Sequence, residues 1–165
     1  MLTNSCVESA KGCMWSLFRF RDMGATREQL LNLWIQKGRS ELEFASPVFF
    51  SRLTEDQNKQ IEKIQRMALA IILQNDYKSY SSALNILSQK TLADRRQEAA
   101  IRFGEKCLVN PRHADMFIRN DAVQEDVSRR NRKPLKEYFC RTERFFKSSI
   151  PTITRLLNEK YLKEN

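Results

Sequence analysis

The sequence lacks the features of a membrane protein, of a secreted protein and of a turn-rich β fold. Its longest unbroken apolar stretch is the seven residues Met67–Leu73, whereas a membrane-spanning helix needs roughly 18. The first residues carry neither a basic flank nor a long apolar segment, so we expect no secretory signal and no membrane partner. Four glycines and four prolines in 165 residues are fewer than usual, which disfavours collagen, low-complexity linkers and a turn-rich β-sandwich.

Residues that carry catalysis or hold metals are also scarce. The one histidine, His113, follows Pro111 in a predicted turn and has no evident partner to orient it as a general base. The glycines are isolated, which excludes a glycine-rich phosphate loop, and no two aspartates are adjacent. We therefore expect no enzyme activity, no cofactor and no metal. The widely spaced cysteines are expected to be reduced thiols inside a cell. They are Cys6, Cys13, Cys107 and Cys140.

Basic residues are in excess, and they concentrate in the C-terminal part of the chain. Lysine and arginine number 29 against 20 acidic residues, a net charge of +9. Residues 1–94 contribute 12 basic and 10 acidic side chains, and residues 95–165 contribute 17 and 10. Between Arg129 and Lys147 eight residues are basic and two are acidic. Such a density of cations attracts phosphate through counterion release, so we expect RNA or DNA as a partner through phosphate contacts.

Three interpretations of the stretch Arg129–Lys136 stay open: a phosphate-binding surface, a nuclear-import signal and a solvated charged loop. We expect an intracellular protein, with a nuclear location if the segment is an import signal. Four aromatic residues interleave with the cations, and they either stack on bases or anchor the tail to the core. They are Tyr138, Phe139, Phe145 and Phe146.

Helical periodicity runs through nearly the whole chain. Capping boxes, in which Glu or Gln follows a Ser or Thr by three residues, predict helix starts at Ser5, Thr26 and Thr54. Gly24 suits the left-handed residue that ends a helix. Pro47 is expected to end the second helix, and Val48–Phe50 is expected to form a buried, extended bridge. Further helices are expected from Tyr80 to Leu87, from Thr91 to Asn110, and around Pro151, which the first turn of a helix tolerates.

Each long predicted helix has an apolar face that should build the core. The residues expected to face inward are Cys6, Ala10, Cys13, Met14 and Leu17; Leu31, Trp34, Ile35, Leu42 and Ala45; Ile61, Ile64, Ala68, Ile71 and Ile72; Leu92, Ala99, Phe103 and Cys107; and Ile150, Ile153, Leu156 and Leu157.

The sequence therefore predicts an all-α fold, a bundle-like helical domain with a polar loop and a C-terminal helical tail. Residues 1–117 are predicted to form the helical domain. Residues 118–135 are polar and lack a sustained apolar period, so they are predicted to be a flexible connection. Residues 136–165 are predicted to form the basic helical tail.

Several motifs resemble, in order and spacing, those of one protein family. The stretch 41–49, ELEFASPVF, resembles the segment L-E-Y-A-S-P-V-W, and 61–73, IEKIQRMALAIIL, resembles L-x-x-I-Q-K-x-A-L-K-I-I-L. Residues 77–96 resemble Y-x-x-Y-x-x-A-L followed by T-L-x-x-R-R, and residues 103–108, FGEKCL, resemble F-A-K-K-C-L. Residues 141–158 resemble R-T-E-R-x-x-K-S-A-I-P-x-x-x-R-L-L-N.

These motifs belong to the region that follows the palm in reverse transcriptases of non-LTR (LINE-type, jockey-like) retrotransposons. The resemblance covers about residues 10–160 and implies the thumb and C-terminal region, without the fingers and the palm whose Y-x-D-D carboxylates hold metal ions. Three positions depart from the motifs: Phe49 replaces Trp, Gln74 replaces Gly, and Gly104 replaces Ala.

The function that the resemblance implies is that of a non-catalytic remnant of an RNA-directed DNA polymerase, which grips template–primer nucleic acid through its backbone. Residues 1–117 then correspond to the thumb. The candidate nucleic-acid-binding residues are Arg19, Arg21, Arg129, Arg130, Arg132, Lys133, Lys136, Arg141, Arg144 and Lys147. The alternatives are a helical module for an unknown protein partner and a decayed reading frame that folds without a function.

Overall fold

The computed structural model describes residues 2–120 and 133–164, and these residues form an all-α fold, as predicted. Its helices are α1 (Leu2–Asp22), α2 (Arg27–Leu33), α3 (Ser40–Glu43), α4 (Ser46–Phe49), α5 (Glu55–Leu73), α6 (Tyr80–Ile86), α7 (Leu92–Val109), α8 (Glu143–Phe146) and α9 (Ser149–Glu164). A π-helical segment, Trp34–Arg39, joins α2 to α3, and 3-10 turns follow α4, α5 and α7. None of the helices in the described ranges combines the length and apolar character needed to cross a membrane.

Contacts divide the chain into two compact units. The first consists of Met1–Ser46 and Leu53–Arg96, and the second consists of Pro47–Arg52 and Gln97–Asn165. This division does not coincide with the predicted ranges 1–117, 118–135 and 136–165. Those ranges stay a prediction about functional regions, whereas the two units are sets of residues that contact one another more than they contact the rest of the chain.

Two of the three predicted capping boxes start helices of the first unit. At α2 the Thr26 hydroxyl accepts from the Gln29 backbone at 3.3 Å and the Gln29 side chain accepts from the Thr26 backbone at 2.9 Å. Thr54 and Gln57 make the same pair of bonds at α5. Gly24 ends α1 with a φ of +85°, as predicted. The third box was wrong as a helix start, because α1 begins at Leu2 and Ser5 lies within it.

The core of the first unit forms where α1, the π-helical segment and α5 pack together. The predicted apolar face of α5 is buried, and so are four of the five predicted residues of α1, with Cys6 half-buried. In α2 the buried residue is Leu30, and the predicted Leu31 is half-buried. The buried residues of this core are Ala10, Cys13, Met14, Leu17, Leu30, Trp34, Leu42, Ile61, Ile64, Ala68, Leu69, Ile71, Ile72, Leu73, Ala83, Leu84, Leu87 and Leu92.

The prediction around Pro47 was wrong. The preceding helix ends at Glu43, and Ala45 is exposed with a φ of +51° instead of facing the core. Pro47 then lies in the first turn of α4. A backbone N–H there would have no acceptor within the helix, so proline loses no hydrogen bond. Val48 is consequently helical and 65% exposed, not part of a buried, extended bridge.

The core of the second unit lies between α7 and α9. Ala100, Cys107, Ile153 and Leu157 are buried there. The predicted inward position of Phe103 was wrong, since its side chain is 42% exposed. The neighbouring Gly104 is buried instead, and a Cβ on it would lie 2.6 Å from Ile153 Cγ2. Such a close approach of α9 leaves no room for a ring on this face.

Both ends of the predicted flexible connection are held in place. Arg119 and Leu135 form an isolated antiparallel bridge, and the Lys136 N–H donates to the Ile118 carbonyl at 2.8 Å. Leu135 is buried in the second core. The middle of the connection, residues 121–132, lies outside the described residues.

Candidate nucleic-acid interface

The segment from Lys133 to Lys147, which we call the basic segment, is fixed at its start by a buried asparagine of α9. The Leu135 N–H donates to Asn158 Oδ1 at 2.9 Å, and Asn158 Nδ2 donates to the Leu135 carbonyl at 3.0 Å. Leu135 and Asn158 are 3% and 1% exposed. A buried amide that satisfies both backbone groups of one residue holds a non-helical segment at a defined position.

Three of the four aromatic residues of the basic segment contact protein groups. The Tyr138 hydroxyl donates to the Met116 carbonyl, and its ring lies edge-to-face with Phe145, with ring centroids 6.3 Å apart. Burial raises the pKa of Tyr138. The Arg155 guanidinium lies 3.7 Å from the ring centroid of Phe146. These contacts favour the anchoring interpretation for Tyr138, Phe145 and Phe146.

Phe139 behaves differently from the other three aromatic residues. Its side chain is 90% exposed, although it follows the half-buried Tyr138 directly in the sequence. An exposed ring beside cations has the composition of a base-stacking site.

The described cations of the basic segment fall into two groups. Lys133 pairs with Glu137 at 2.8 Å and Lys147 pairs with Glu143 at 2.6 Å. The hydrogen bond and the charge of Lys147 lower the pKa of Glu143. Among residues 2–120 and 133–164, no hydrogen bond or ion pair is found for the side chains of the exposed Lys136, Arg141 and Arg144. Arg129, Arg130 and Arg132 lie outside the described residues.

The two candidate arginines of α1 belong to the first unit and lie over aromatic rings of the same helix. Arg19 is 5.5 Å from the ring centroid of Trp15. Arg21 is 4.9 Å from that of Phe18 and also pairs with Asp22 at 2.8 Å. The first helix thus presents cations on aromatic faces, and one of the two cations is already neutralised by a carboxylate.

The first unit also contains a polar cluster that the sequence reasoning missed. Glu62 on α5 accepts from the Tyr80 hydroxyl at 2.5 Å and from the backbone N–H of Ala93, at the start of α7, at 2.8 Å. Gln65, 1% exposed, donates to the Tyr80 oxygen and to the Lys90 carbonyl. Burial and the Glu62 carboxylate raise the pKa of Tyr80. Periodicity placed Glu62 on the polar side of α5 and gave no signal of these long-range partners.

Two adjacent arginines at the start of α7 complete this cluster. Arg95 forms a two-pronged ion pair with Glu43, with Nη2 3.0 Å from Oε2. Arg96 is 2% exposed and donates to Asn58 Oδ1 at 2.9 Å, and burial lowers its pKa. Both partners are acceptors supplied by other helices, so the cluster joins α3, α5, α6 and α7.

Two grooves flank the exposed ridge of Lys63 and Met67 on α5. One, of 460 Å³, lies against α1 and is lined by Val7 and Met14 among others. The second, of 820 Å³, lies against Tyr80 and the start of α7. In the ranges that the structure describes, no group of three or more His, Cys, Asp or Glu side chains is placed to hold a metal ion.

Comparisons of the chain with protein-family models, with curated proteins and with solved structures found no match in any of the three.

Proposed function

We propose that this chain is a non-catalytic nucleic-acid-binding region that holds the phosphate backbone through its basic segment. The thumb and C-terminal region of a non-LTR retrotransposon reverse transcriptase, which the sequence resembles, would bind in this way. The observation that carries the proposal is the exposure of Lys136, Arg141 and Arg144 without acidic partners among the described residues. The segment is held in place by Leu135 and Tyr138.

The chemistry of these side chains suits the phosphate backbone. Guanidinium groups bind phosphate oxygens through two parallel hydrogen bonds, and contacts to the backbone fix position without distinguishing bases. Two or three such contacts support only weak binding, with a Kd on the order of 10⁻⁴ to 10⁻⁶ M at physiological salt. The exposed Phe139 ring adds a stacking surface for an unpaired base.

The experiment compares two double variants of equal charge in a fluorescence-anisotropy titration with labelled oligonucleotides at several salt concentrations. Arg141→Ala with Arg144→Ala removes two unpaired cations. The control, Lys133→Ala with Lys147→Ala, removes two cations that are already paired with acids. We expect the first double variant to flatten the log–log salt slope by about 1.8 on duplex DNA, or about 1.4 on single strands, and the control to change it less. Equal slopes in the two variants, or no binding by the wild type, contradict the proposal.

The absence of catalysis is a separate part of the proposal. The carboxylates that hold metal in the resembled polymerases belong to a region that the resemblance does not cover. We expect the purified chain to incorporate no nucleotide in a template–primer extension assay with Mg²⁺ or Mn²⁺. Incorporation above a mock preparation contradicts this part while leaving the binding proposal testable by the salt slopes.

A further inference from the structure

Helix α1 buries one face and leaves the opposite face exposed. Ala10 and Leu17 on the inner face are fully buried. On the outer side Trp15 is 67% exposed, and Met23, the residue that follows the helix, is 80% exposed. Large apolar side chains exposed together on one helix face are typical of an interaction surface, and tryptophan, methionine and arginine are enriched in protein interfaces.

Four residues form the centre line of this outer face: Glu8, Gly12, Trp15 and Arg19. At 100° per residue they fall within about 60° of one another, on the side away from Ala10 and Leu17. All four are exposed. Their successive spacings are four, three and four residues, so the pattern reads the same in both directions along the helix.

We propose that this face pairs with the same face of a second copy of the chain, as two antiparallel α1 helices related by a two-fold axis. In an antiparallel pair centred between Cys13 and Met14, Glu8 lies across from Arg19 of the second copy, and Gly12 lies across from its Trp15. The two-fold axis repeats each contact, as an isologous interface requires. The four-three-four spacing is that of helices packed at about +20°.

Complementary charges and complementary side-chain sizes on this face both point to a second copy of the chain as its partner. Each acidic Glu8 meets a basic Arg19, and each large indole meets a residue without a side chain. Gly12 has no role within its own unit, since a Cβ on it would have no atom within 4 Å, and glycine inside a helix is less favourable than alanine. A close approach by Trp15 of a second copy accounts for a glycine at this position.

Formation of the dimer releases two exposed contacts within α1, the ion pair of Glu8 with Lys11 and the contact of Arg19 with the Trp15 ring. Glu8 now pairs with Lys11, but their side chains are 70% and 56% exposed, and such exposed pairs contribute little to stability. The pairing face is a single helix about 32 Å long, so the interface is small. Small interfaces of this kind are weak, and we expect a Kd on the order of 10–100 µM.

The decisive experiment reverses the two charges in separate variants and then mixes them. In a homodimer, Glu8→Arg places a second guanidinium against Arg19, and Arg19→Glu places a second carboxylate against Glu8. We expect each variant alone to dimerise at least about tenfold more weakly than the wild type in sedimentation equilibrium, because like charges across an interface repel. In a heterodimer of the two variants, one copy contributes two guanidinium groups and the other contributes two carboxylates, so both contacts across the interface join opposite charges. The equimolar mixture is therefore expected to recover dimer affinity to within about threefold of the wild type.

The double variant that carries both Glu8→Arg and Arg19→Glu supplies the rescue. It exchanges the two charges within each copy, so every contact across the two-fold axis again joins a carboxylate to a guanidinium. We expect its dimer affinity to return to within about threefold of the wild type, a recovery that a general loss of surface charge would not produce.

A size change at Gly12 tests the same register independently. Gly12→Leu fills the space that Trp15 of the second copy needs and should abolish dimerisation without lowering the unfolding midpoint. Ser9→Leu is the matched control, because Ser9 is also exposed but lies about a quarter turn from the centre line. A wild type that stays monomeric up to several hundred micromolar overturns the inference. A dimer indifferent to the charge reversals overturns it too, as does a monomer whose Trp15 fluorescence responds to oligonucleotides alone.

Discussion

Two helical glycines show how single residues report on packing. A Cβ on Gly38 would lie 2.2 Å from Cζ3 of Trp34 and 3.2 Å from the sulfur of Cys13. The fully buried Trp34 ring therefore occupies the space that any side chain at position 38 would need. A Cβ on Gly12 meets nothing within 4 Å. Packing of the core thus requires glycine at position 38, whereas nothing in the first unit requires glycine at position 12.

We therefore predict opposite outcomes for the same substitution. Gly38→Ala should destabilise the chain by about 1–3 kcal/mol, because the added methyl group displaces the Trp34 ring in a packed core. Gly12→Ala should stabilise it by about 0.5–1 kcal/mol, because alanine is the better helix former. Urea denaturation followed by circular dichroism measures both. A gain for Gly38→Ala contradicts the placement of Trp34.

Some residue environments could not be predicted from the sequence. Gln74 stands where the motif that the sequence resembles has glycine, and it adopts a φ of +49°, a backbone conformation that favours glycine. Arg96 is almost fully buried, whereas helical periodicity alone gives no reason to bury an arginine. Its acceptor, Asn58, lies 38 residues away, and contacts across such separations are fixed by tertiary packing.

At the scale of elements, local sequence signals predicted where helices start. They predicted less well which residues face the core close to the point where a helix is interrupted. Thr26 and Thr54 start helices because their hydroxyls and the following glutamines bond within four residues, so the information is entirely local. The π-helical segment after Leu33 shifts the register of the chain before Ala45. A residue added to one helical turn is invisible to a pattern search based on 3.6 residues per turn.

The inward face of α5 supports a stability prediction with a chemically matched control. Ile71 is 7% exposed in the first core, whereas Ile86 on α6 is 47% exposed. Ile71→Ala should lower the free energy of unfolding by about 2–5 kcal/mol through lost burial and a cavity. Ile86→Ala should change it by about 0.5 kcal/mol or less. Chemical denaturation of both variants checks the face, and equal midpoints mean that the face is assigned incorrectly.

The junction of α5, α6 and α7 at Glu62 leads to a prediction about alkaline pH. The pKa of Tyr80 is raised in the folded chain, mainly by burial and then by Glu62, whereas an unfolded tyrosine has a pKa of about 10. The unfolded state therefore loses this proton first. The contribution of Tyr80 to stability is fully present below about pH 10 and is lost as the pH rises further, by about 1.4 kcal/mol per pH unit.

Denaturation midpoints between about pH 8 and pH 11 measure this loss. Tyr80→Phe should make the alkaline decline less steep, because phenylalanine has no proton to release. Tyr77→Phe is the control. Tyr77 packs against the same core, but this substitution leaves the hydrogen bond from the Tyr80 hydroxyl to Glu62 in place. An unchanged decline in Tyr80→Phe contradicts the role given to burial.

At the scale of the whole molecule, the basic surface that the charge distribution predicts is only partly visible in the structure. Lys136, Arg141 and Arg144 are exposed as a basic surface requires. Lys133 and Lys147 are paired with acids, which a count of charges cannot anticipate. Pairing depends on which side chains lie one helical turn apart or across a bend, and composition does not contain that information.

The remaining candidate cations supply a prediction for the whole chain. Replacing Arg129, Arg130, Arg132 and Lys133 together by alanine should flatten the log–log salt slope of oligonucleotide binding by about two units or more if the three arginines touch phosphate, since Lys133 is already paired with Glu137. The fold should be retained, because residues 118–135 lack an apolar period. Anisotropy titrations give the slope and circular dichroism gives the fold. A slope equal to that of the wild type excludes these four residues from the interface.

The pair of hydrogen bonds between Leu135 and Asn158 has a consequence for hydrogen–deuterium exchange. The amide proton of Leu135 lies outside any helix, yet its acceptor is a buried side chain of α9. Exchange at this amide requires the second core to open, so its protection should match that of the amides within α9. Deuterium uptake at Leu135 therefore reports the integrity of the second unit from a position within the basic segment.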